Sequence, residues 1–493
     1  MKTGFDSKIY MEKQKAQILK RVEQFDNKLY LEFGGKLFDD LHAARVLKGF
    51  DPNAKINLLC ELKEKVEVIF CINAGDIERN KMRADFGITY GEEVLRVIDR
   101  LREKGIYVAS IVITQFLEQP QATVFRHKLE NRGEKVYIHK HTKGYPNAVE
   151  IIVSEEGYGQ NPYIETTRPL VVVTAPGPNS GKLGTCLSQL YHEHKRGIHA
   201  GYAKFETFPI WNLPLKHPVN VAYEAATADL NDVNMIDYFH LQAYGIQAVN
   251  YNRDIAVFPV LKSILNKITG SDIYQSPTDM GVNMAGFGII DDKAICHSAE
   301  QEIIRRYYNA KCDNKEGKEP IKVVKTIELL MSELNITEGQ RRVVQPALER
   351  AEKTKAHALA IELEDGRIVT GKKSELLSAA SSMILNAIKT VAGLNDKLTL
   401  IAKEAIDPIM RLNRDVFNSK KEFLNLEQTL IALCVSAATD KKAAKAVECL
   451  LKLKGCDAHS SHILGNIDMQ MLKKLGINVT SETEFASFEL FDE

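Results

Sequence analysis

The chain has 493 residues, 44% of them hydrophobic and 26% charged, with 65 Lys+Arg against 65 Asp+Glu. That length exceeds one hydrophobic core and implies about three domains of roughly 150 residues. Zero net charge argues against a protein that coats nucleic acid or anionic membrane, since either task needs a cationic field, and leaves room only for a local basic groove.

The N-terminal MKTGFDSKIYMEKQKAQILKR has no apolar signal core, and no later run approaches the roughly 18 apolar residues of a membrane helix. Eight scattered cysteines without a C-x-x-C pair fit reduced thiols. A cytoplasmic protein is expected. From residue 55 onward, short apolar runs alternate with amphipathic stretches. KINLLCEL and VEVIFCINAGDI predict strands, 92–103 a helix, YVASIVITQF a strand, ATVFRHKLENRG a helix, and VYIHKHT and AVEIIVSEEGYG further strands. A helix over 182–195 follows, then candidate strands HAGYAKFETFPI and VNVAYEAATADL. Fully apolar strands alternating with helices predict an α/β fold, a mostly parallel sheet with helices on both faces.

Residues 232–310 read as mainly helical around the loop SPTDMGVNMAGFG, and NAKCDNKEGKEP (309–320) reads as a polar linker. A helical stretch over 321–353 leads to the hairpin ALAIELEDGRIVTG, turned at Asp365-Gly366, and INVT near the end is a short strand. The expected division is an α/β domain over 1–231, a mainly helical segment over 232–320 packed on it, and a separate C-terminal α/β domain over 321–493.

The stretch VVVTAPGPNSGKLGT (171–185) carries the strongest chemistry. A phosphate loop needs glycines that let backbone N–H groups curl round an anion, a helix N-terminus behind it, and a lysine for the outer phosphates. Against G-x-x-x-x-G-K-[ST], Gly181 and Lys182 fill their slots, but Pro176 holds the first glycine position, with Gly177 one residue late. Leu183 stands where a magnesium-binding hydroxyl belongs, and Thr185 is the nearest hydroxyl. Pro176 and Pro178 have no N–H to donate. Gly177, Asn179, Ser180, Gly181, Lys182, Gly184 and Thr185 therefore form a P-loop-like turn, with a plain strand-to-helix turn capped near Ser180 as the alternative.

Magnesium would require a carboxylate at a neighbouring strand end. Glu224 and Asp229 are the candidates, with Asp232 and Asp76 behind them, and Thr185 with Asp229 forms the expected magnesium pair. Lys204 is a further possible phosphate contact. Cys456, His459 and His462, spaced C-x2-H-x2-H, would converge on zinc only from a helix; on a strand His459 points away, and hydrogen-bonded histidines are the preferred reading. YHEHKRGIH lacks H-E-x-x-H, and no G-x-S-x-G or local Cys/His signature appears, so an ATP-dependent peptidase is not expected. The hairpin and following helix resemble the opening of cytidine-deaminase-like domains, but Ser378-Ala379-Ala380-Ser381-Ser382 occupies the position where a zinc ligand and glutamate belong, and no P-C-x-x-C occurs.

Taken together, NPYIETTRPLVVVTAPGPNSGKLGTCLSQLYHE, AYEAATADL and SPTDMGVNMAGFG make the chain similar to the domain-of-unknown-function family 1846 over essentially its whole length. The resemblance implies an α/β N-terminal region with a P-loop-like turn and a separate α/β C-terminal domain. It brings no activity and no functional residues with it. The resulting expectation is an enzyme that binds ATP, another nucleotide or another phosphorylated small molecule with magnesium at 177–185. Phosphoryl or nucleotidyl transfer, or ATP-assisted ligation, would involve Lys182, Glu224 and Asp229. The alternative is an oligomer that binds a non-nucleotide phosphate or carboxylate metabolite and has no ATPase activity. A homo-oligomer is expected in either case, without nucleic-acid or membrane partners.

Overall fold

The computed structural model describes residues 3–83, 87–419 and 423–487. The chain folds as two compact units, Thr3–Glu224 with Asp232–Cys296, and Ala225–Asn231 with the chain from His297. The segment 232–320 is thus divided between the units. Its first part joins the N-terminal core through Phe258, Ile264, Leu265, Tyr274 and Val282. The expected linker at 309–320 is largely helical, because the helix Asp292–Lys315 runs through it.

The first unit is built on six parallel strands: β1 (Leu29–Phe33), β2 (Val66–Asn73), β3 (Tyr107–Thr114), β4 (Val136–Ile138), β5 (Leu170–Thr174) and β6 (Gly201–Phe205). Their order across the sheet is β4-β3-β2-β5-β1-β6. All five residues of β5 are buried, as a central strand covered on both faces requires. The chain leaves β2 toward β3 on one side and leaves β5 toward β6 on the other. Loops at the carboxyl ends of β2 and β5 therefore diverge and open a crevice, the place where open α/β sheets gather ligands.

Three expected strands are helical. KINLLCEL forms the helix Ala54–Glu61, which buries Ile56, Leu58 and Leu59 along one side. AVEIIVSEEGYG contains the single turn Val149–Ile152, and VNVAYEAATADL contains the helix Pro218–Ala226. Apolar runs this short carry no period that separates a buried strand from a buried helix turn. Pro218 at the first helical position was the available helix-start signal.

The second unit carries the sheet β8-β7-β9-β10, from β7 (Ala358–Glu362), β8 (Ile368–Lys372), β9 (Asp457–Ser460) and β10 (Asn478–Ser481). The β7–β8 hairpin turns at Gly366, whose φ of +83° suits glycine. β9 pairs antiparallel to β7 and parallel to β10, so this sheet is mixed. The serine run opens the helix Ala379–Ala392. Ser378 caps it through Ser381 N–H at 3.1 Å, and the Ser381 hydroxyl accepts from Thr429 at 2.9 Å. These serines tie helices together, and nothing in the described sheet order identifies the unit with a deaminase.

His139, just beyond β4, is buried, and burial lowers its pKa from 6.5 to about 4. The unfolded chain thus binds a proton between pH 6.5 and 4 that the native state refuses, so this contribution to stability is complete above pH 6.5 and is lost as pH falls toward 4. Its size is on the order of 3 kcal/mol. Denaturant midpoints across this window should fall more steeply for the natural protein than for His139→Gln.

Candidate functional site

The loop 175–181 leaves β5 in the middle of the sheet and enters the helix Lys182–Lys195. Protein donors hold its carbonyls. Thr114 Oγ1 donates to the Ser180 carbonyl at 2.8 Å, Ser180 Oγ to the Gly177 carbonyl at 2.8 Å, and Asn73 Nδ2 to the Asn179 carbonyl at 3.2 Å. Among the described residues no acceptor takes the N–H groups of Asn179, Ser180 or Gly181. Gly181 caps the helix with φ +83° and supplies no side-chain acceptor to the first-turn amides. The loop therefore combines committed carbonyls with unused donors at a helix N-terminus, an electrostatic arrangement suited to an anion.

Close packing explains two of its glycines. A Cβ on Gly181 would sit 2.8 Å from Thr114 Cβ, and one on Gly177 2.4 Å from the Tyr90 hydroxyl. Gly184 has open space around it. On the switch-point side, Arg83 pairs with Glu93 at 3.0 Å and donates to the Pro176 carbonyl at 3.4 Å, lining a crevice with Phe70 and Thr174.

On the other side a charged network runs along the carboxyl ends of β1 and β6. Lys182 Nζ lies 3.9 Å from Glu32 Oε1 on β1, and Tyr202 donates its hydroxyl to Glu32 Oε2 at 2.8 Å. Glu32 stands opposite Lys204 in the β1–β6 register. Lys204 Nζ reaches Asp254 at 2.6 Å, the Tyr251 hydroxyl at 2.8 Å and Glu206 at 3.1 Å. Burial works to lower the Lys204 pKa, but Asp254, Glu206 and Glu32 outweigh it and hold the ammonium charged well above its usual range. Burial and the neighbouring Asp254 raise the Glu206 pKa against the opposing pull of Lys204.

The family description "Domain of unknown function DUF1846, N-terminal" matches residues 3–335, and its C-terminal counterpart matches 339–491. The chain belongs to the DUF1846 family. UPF0371 proteins of Clostridium botulinum (strain Alaska E43 / Type E3) and Clostridioides difficile (strain 630) are 57% and 56% identical to it, each over the whole chain and 99% and 100% of their own lengths. A UPF0371 protein of Clostridium tetani is 55% identical over the whole chain and 99% of its own length.

In this DUF1846 protein the expected site residues fall in several places. Gly177, Asn179, Ser180, Gly181 and Lys182 form the loop site. Gly184 lies in the first helical turn. Thr185 is buried, and its hydroxyl accepts from the Cys71 thiol, which burial pushes up to about 12 and so keeps protonated. Glu224 is buried and accepts the Asn234 N–H at 2.7 Å. Asp229 belongs to the second unit, where its charge acts on Arg306 and Glu319. Asp76 pairs with Arg79 and Lys81, and Asp232 with Arg253. Of the expected magnesium pair, Thr185 is engaged by the Cys71 thiol, and Asp229 belongs to the other unit.

Cys456, His459 and His462 do not converge. His459, on β9, bonds Thr480 at 2.8 Å and Glu482 at 3.2 Å, while His462 stacks on His357 at 4.1 Å. Among the described residues the one close three-ligand grouping is His217, Asp292 and Cys296. Val219 N–H donates to His217 Nδ1 at 3.2 Å, which leaves the ring proton on Nε2, the atom facing Asp292 at 3.0 Å and Cys296 at 3.6 Å. A metal would need that nitrogen unprotonated, so the trio is a hydrogen-bonded cluster. Sequence reasoning missed Glu32, Glu206, Asp254 and Tyr251. Glu32 was signalled by a charge within the apolar stretch LYLEF and Glu206 by two charges two residues apart in AKFETF, while nothing local marked Tyr251 or Asp254.

The loop geometry predicts opposite effects at two neighbouring glycines. Gly181→Ala should lose about 1–3 kcal/mol of stability from left-handed strain and the contact with Thr114. Gly184→Ala should gain roughly 0.5–1 kcal/mol as a helix substitution in open space. Urea midpoints of the two variants check both signs.

Proposed function

We propose that this protein binds a phosphorylated small molecule at the 177–185 loop and acts on it by phosphoryl or nucleotidyl transfer, or by ATP-assisted ligation. One observation carries this reading: the carbonyls of Gly177, Asn179 and Ser180 are occupied by protein donors, while the amides of residues 179–181 and the uncapped helix N-terminus are left for an anion. Lys182, held by Glu32 at only 3.9 Å, is placed to exchange that loose ion pair for a phosphate oxygen. Catalysis would come from positioning and charge neutralisation by Lys182 and the loop amides.

A second reading, a phosphate or carboxylate metabolite bound without magnesium or ATPase activity, is favoured by Leu183 in the hydroxyl slot and by the engagement of Thr185 with Cys71. Glu32 is the carboxylate next to Lys182, and it would have to serve any magnesium at the loop. The free cysteines fit a reducing compartment, and we place the protein in the cytoplasm as a homo-oligomer.

A thermal-shift series with ATP, ADP, ribose 5-phosphate, inorganic phosphate and sulfate, each with and without magnesium, tests the reading. Ligand at about 100 times its dissociation constant stabilises the folded state by roughly 2.7 kcal/mol. A shift with at least one phosphorylated compound, abolished in Lys182→Ala, is expected. Magnesium dependence supports the transfer or ligation reading, and independence supports the second. No shift with any anion, or one unchanged in Lys182→Ala, reduces the loop to a structural turn.

A further inference from the structure

Beside the loop, at the carboxyl end of β6, lies a cleft open to solvent. Lys204, Glu206 and Asp254 form its charged wall, Phe208 and Trp211 its aromatic wall, and Asn250 part of its rim. Asp254 lies in the first turn of the helix Asn252–Thr269, and Lys204 and Glu206 share one face of the β6 end. We propose that this cleft is a binding site for a small uncharged polyol, a sugar-like molecule whose hydroxyls donate to the carboxylates and whose C–H face packs on the aromatic wall.

The charge arrangement selects this chemistry. Lys204 already has three oxygen neighbours within 3.1 Å, so it has no donor left for a phosphate or carboxylate ligand. The same ammonium stands between Glu206 and Asp254, so a second ammonium entering there would face Lys204 as a like charge. Asp254 engages Lys204 through Oδ2. Its Oδ1 has no donor and Asn250 Nδ2 no acceptor among the described residues, while Asn250 Oδ1 takes the Tyr251 N–H at 2.9 Å; the first can accept from, and the second donate to, ligand hydroxyls. Carboxylate and amide groups facing an aromatic wall match a molecule with polar edges and an apolar face. The inference stands on the cleft's own groups and not on an anion at the loop.

Trp211 is the chain's single tryptophan, so its emission reports on this cleft. The full-length protein is titrated with glucose, ribose and myo-inositol, and with ethanolamine and inorganic phosphate for comparison. A saturable emission change with at least one polyol is expected. It should weaken at least tenfold in Asp254→Asn and persist in Lys182→Ala. Asn250→Ala, which removes a rim amide without touching the ion pairs, should also weaken it and serves if Asp254→Asn does not fold. Silence toward all three polyols, a response confined to ethanolamine or phosphate, or a polyol response undiminished in both cleft variants overturns the proposal. A polyol response in a protein that shows no nucleotide or phosphate shift retains the cleft and rejects the loop reading. The reverse result does the opposite.

Discussion

A carboxylate buried at the end of a parallel strand has to be matched by positive charge or by hydroxyl donors, because desolvating it unpaired is too costly for a fold of ordinary stability. Glu32 imposes that requirement here. It draws the Tyr202 hydroxyl from β6, the Lys182 ammonium from the helix that follows β5, and the field of Lys204 across the β1–β6 register. Two strands and one helix that are distant in sequence are thereby held to one carboxylate, and the groups suited to chemistry gather at the same edge of the sheet.

The two lysines around Glu32 differ in how firmly they are held. Lys204 is enclosed by two carboxylates and a tyrosine hydroxyl at short distances, and its charge is fixed and fully compensated. Lys182 has one distant ion-pair partner and a helix N-terminus beside it. Positive potential is therefore available at the loop and spent in the cleft. The anion proposed for the loop suits the first setting, and the uncharged, hydroxyl-bearing molecule proposed for the cleft suits the second.

Much of the architecture was legible in the chain. VEVIFCIN, YVASIVIT and LVVVT are apolar enough to specify buried parallel strands, the helix after the loop has the expected bounds Lys182–Lys195, and the Asp365-Gly366 turn joins the expected hairpin. Short apolar runs were ambiguous, and KINLLCEL and VNVAYEAATADL became helices because burial on one side satisfies either geometry. At the site, the glycines and Lys182 were readable because their spacing is local. The partner carboxylate was not, since Glu32 lies 150 residues before Lys182 and only the insertion of β5 between β2 and β1 brings them together.

By itself, the sequence determined an α/β chain with a glycine-rich strand-to-helix turn ending in lysine, because strand burial, turn chemistry and helix starts depend on neighbours a few residues away. Tertiary structure alone decided which acids face that lysine. It committed Thr185 to Cys71, Glu224 to Asn234 and Asp229 to the second unit, and put Glu32 beside Lys182 with Glu206 and Asp254 around Lys204. Charge pairing across a sheet depends on strand order and register, and neither is written in any local stretch of the chain.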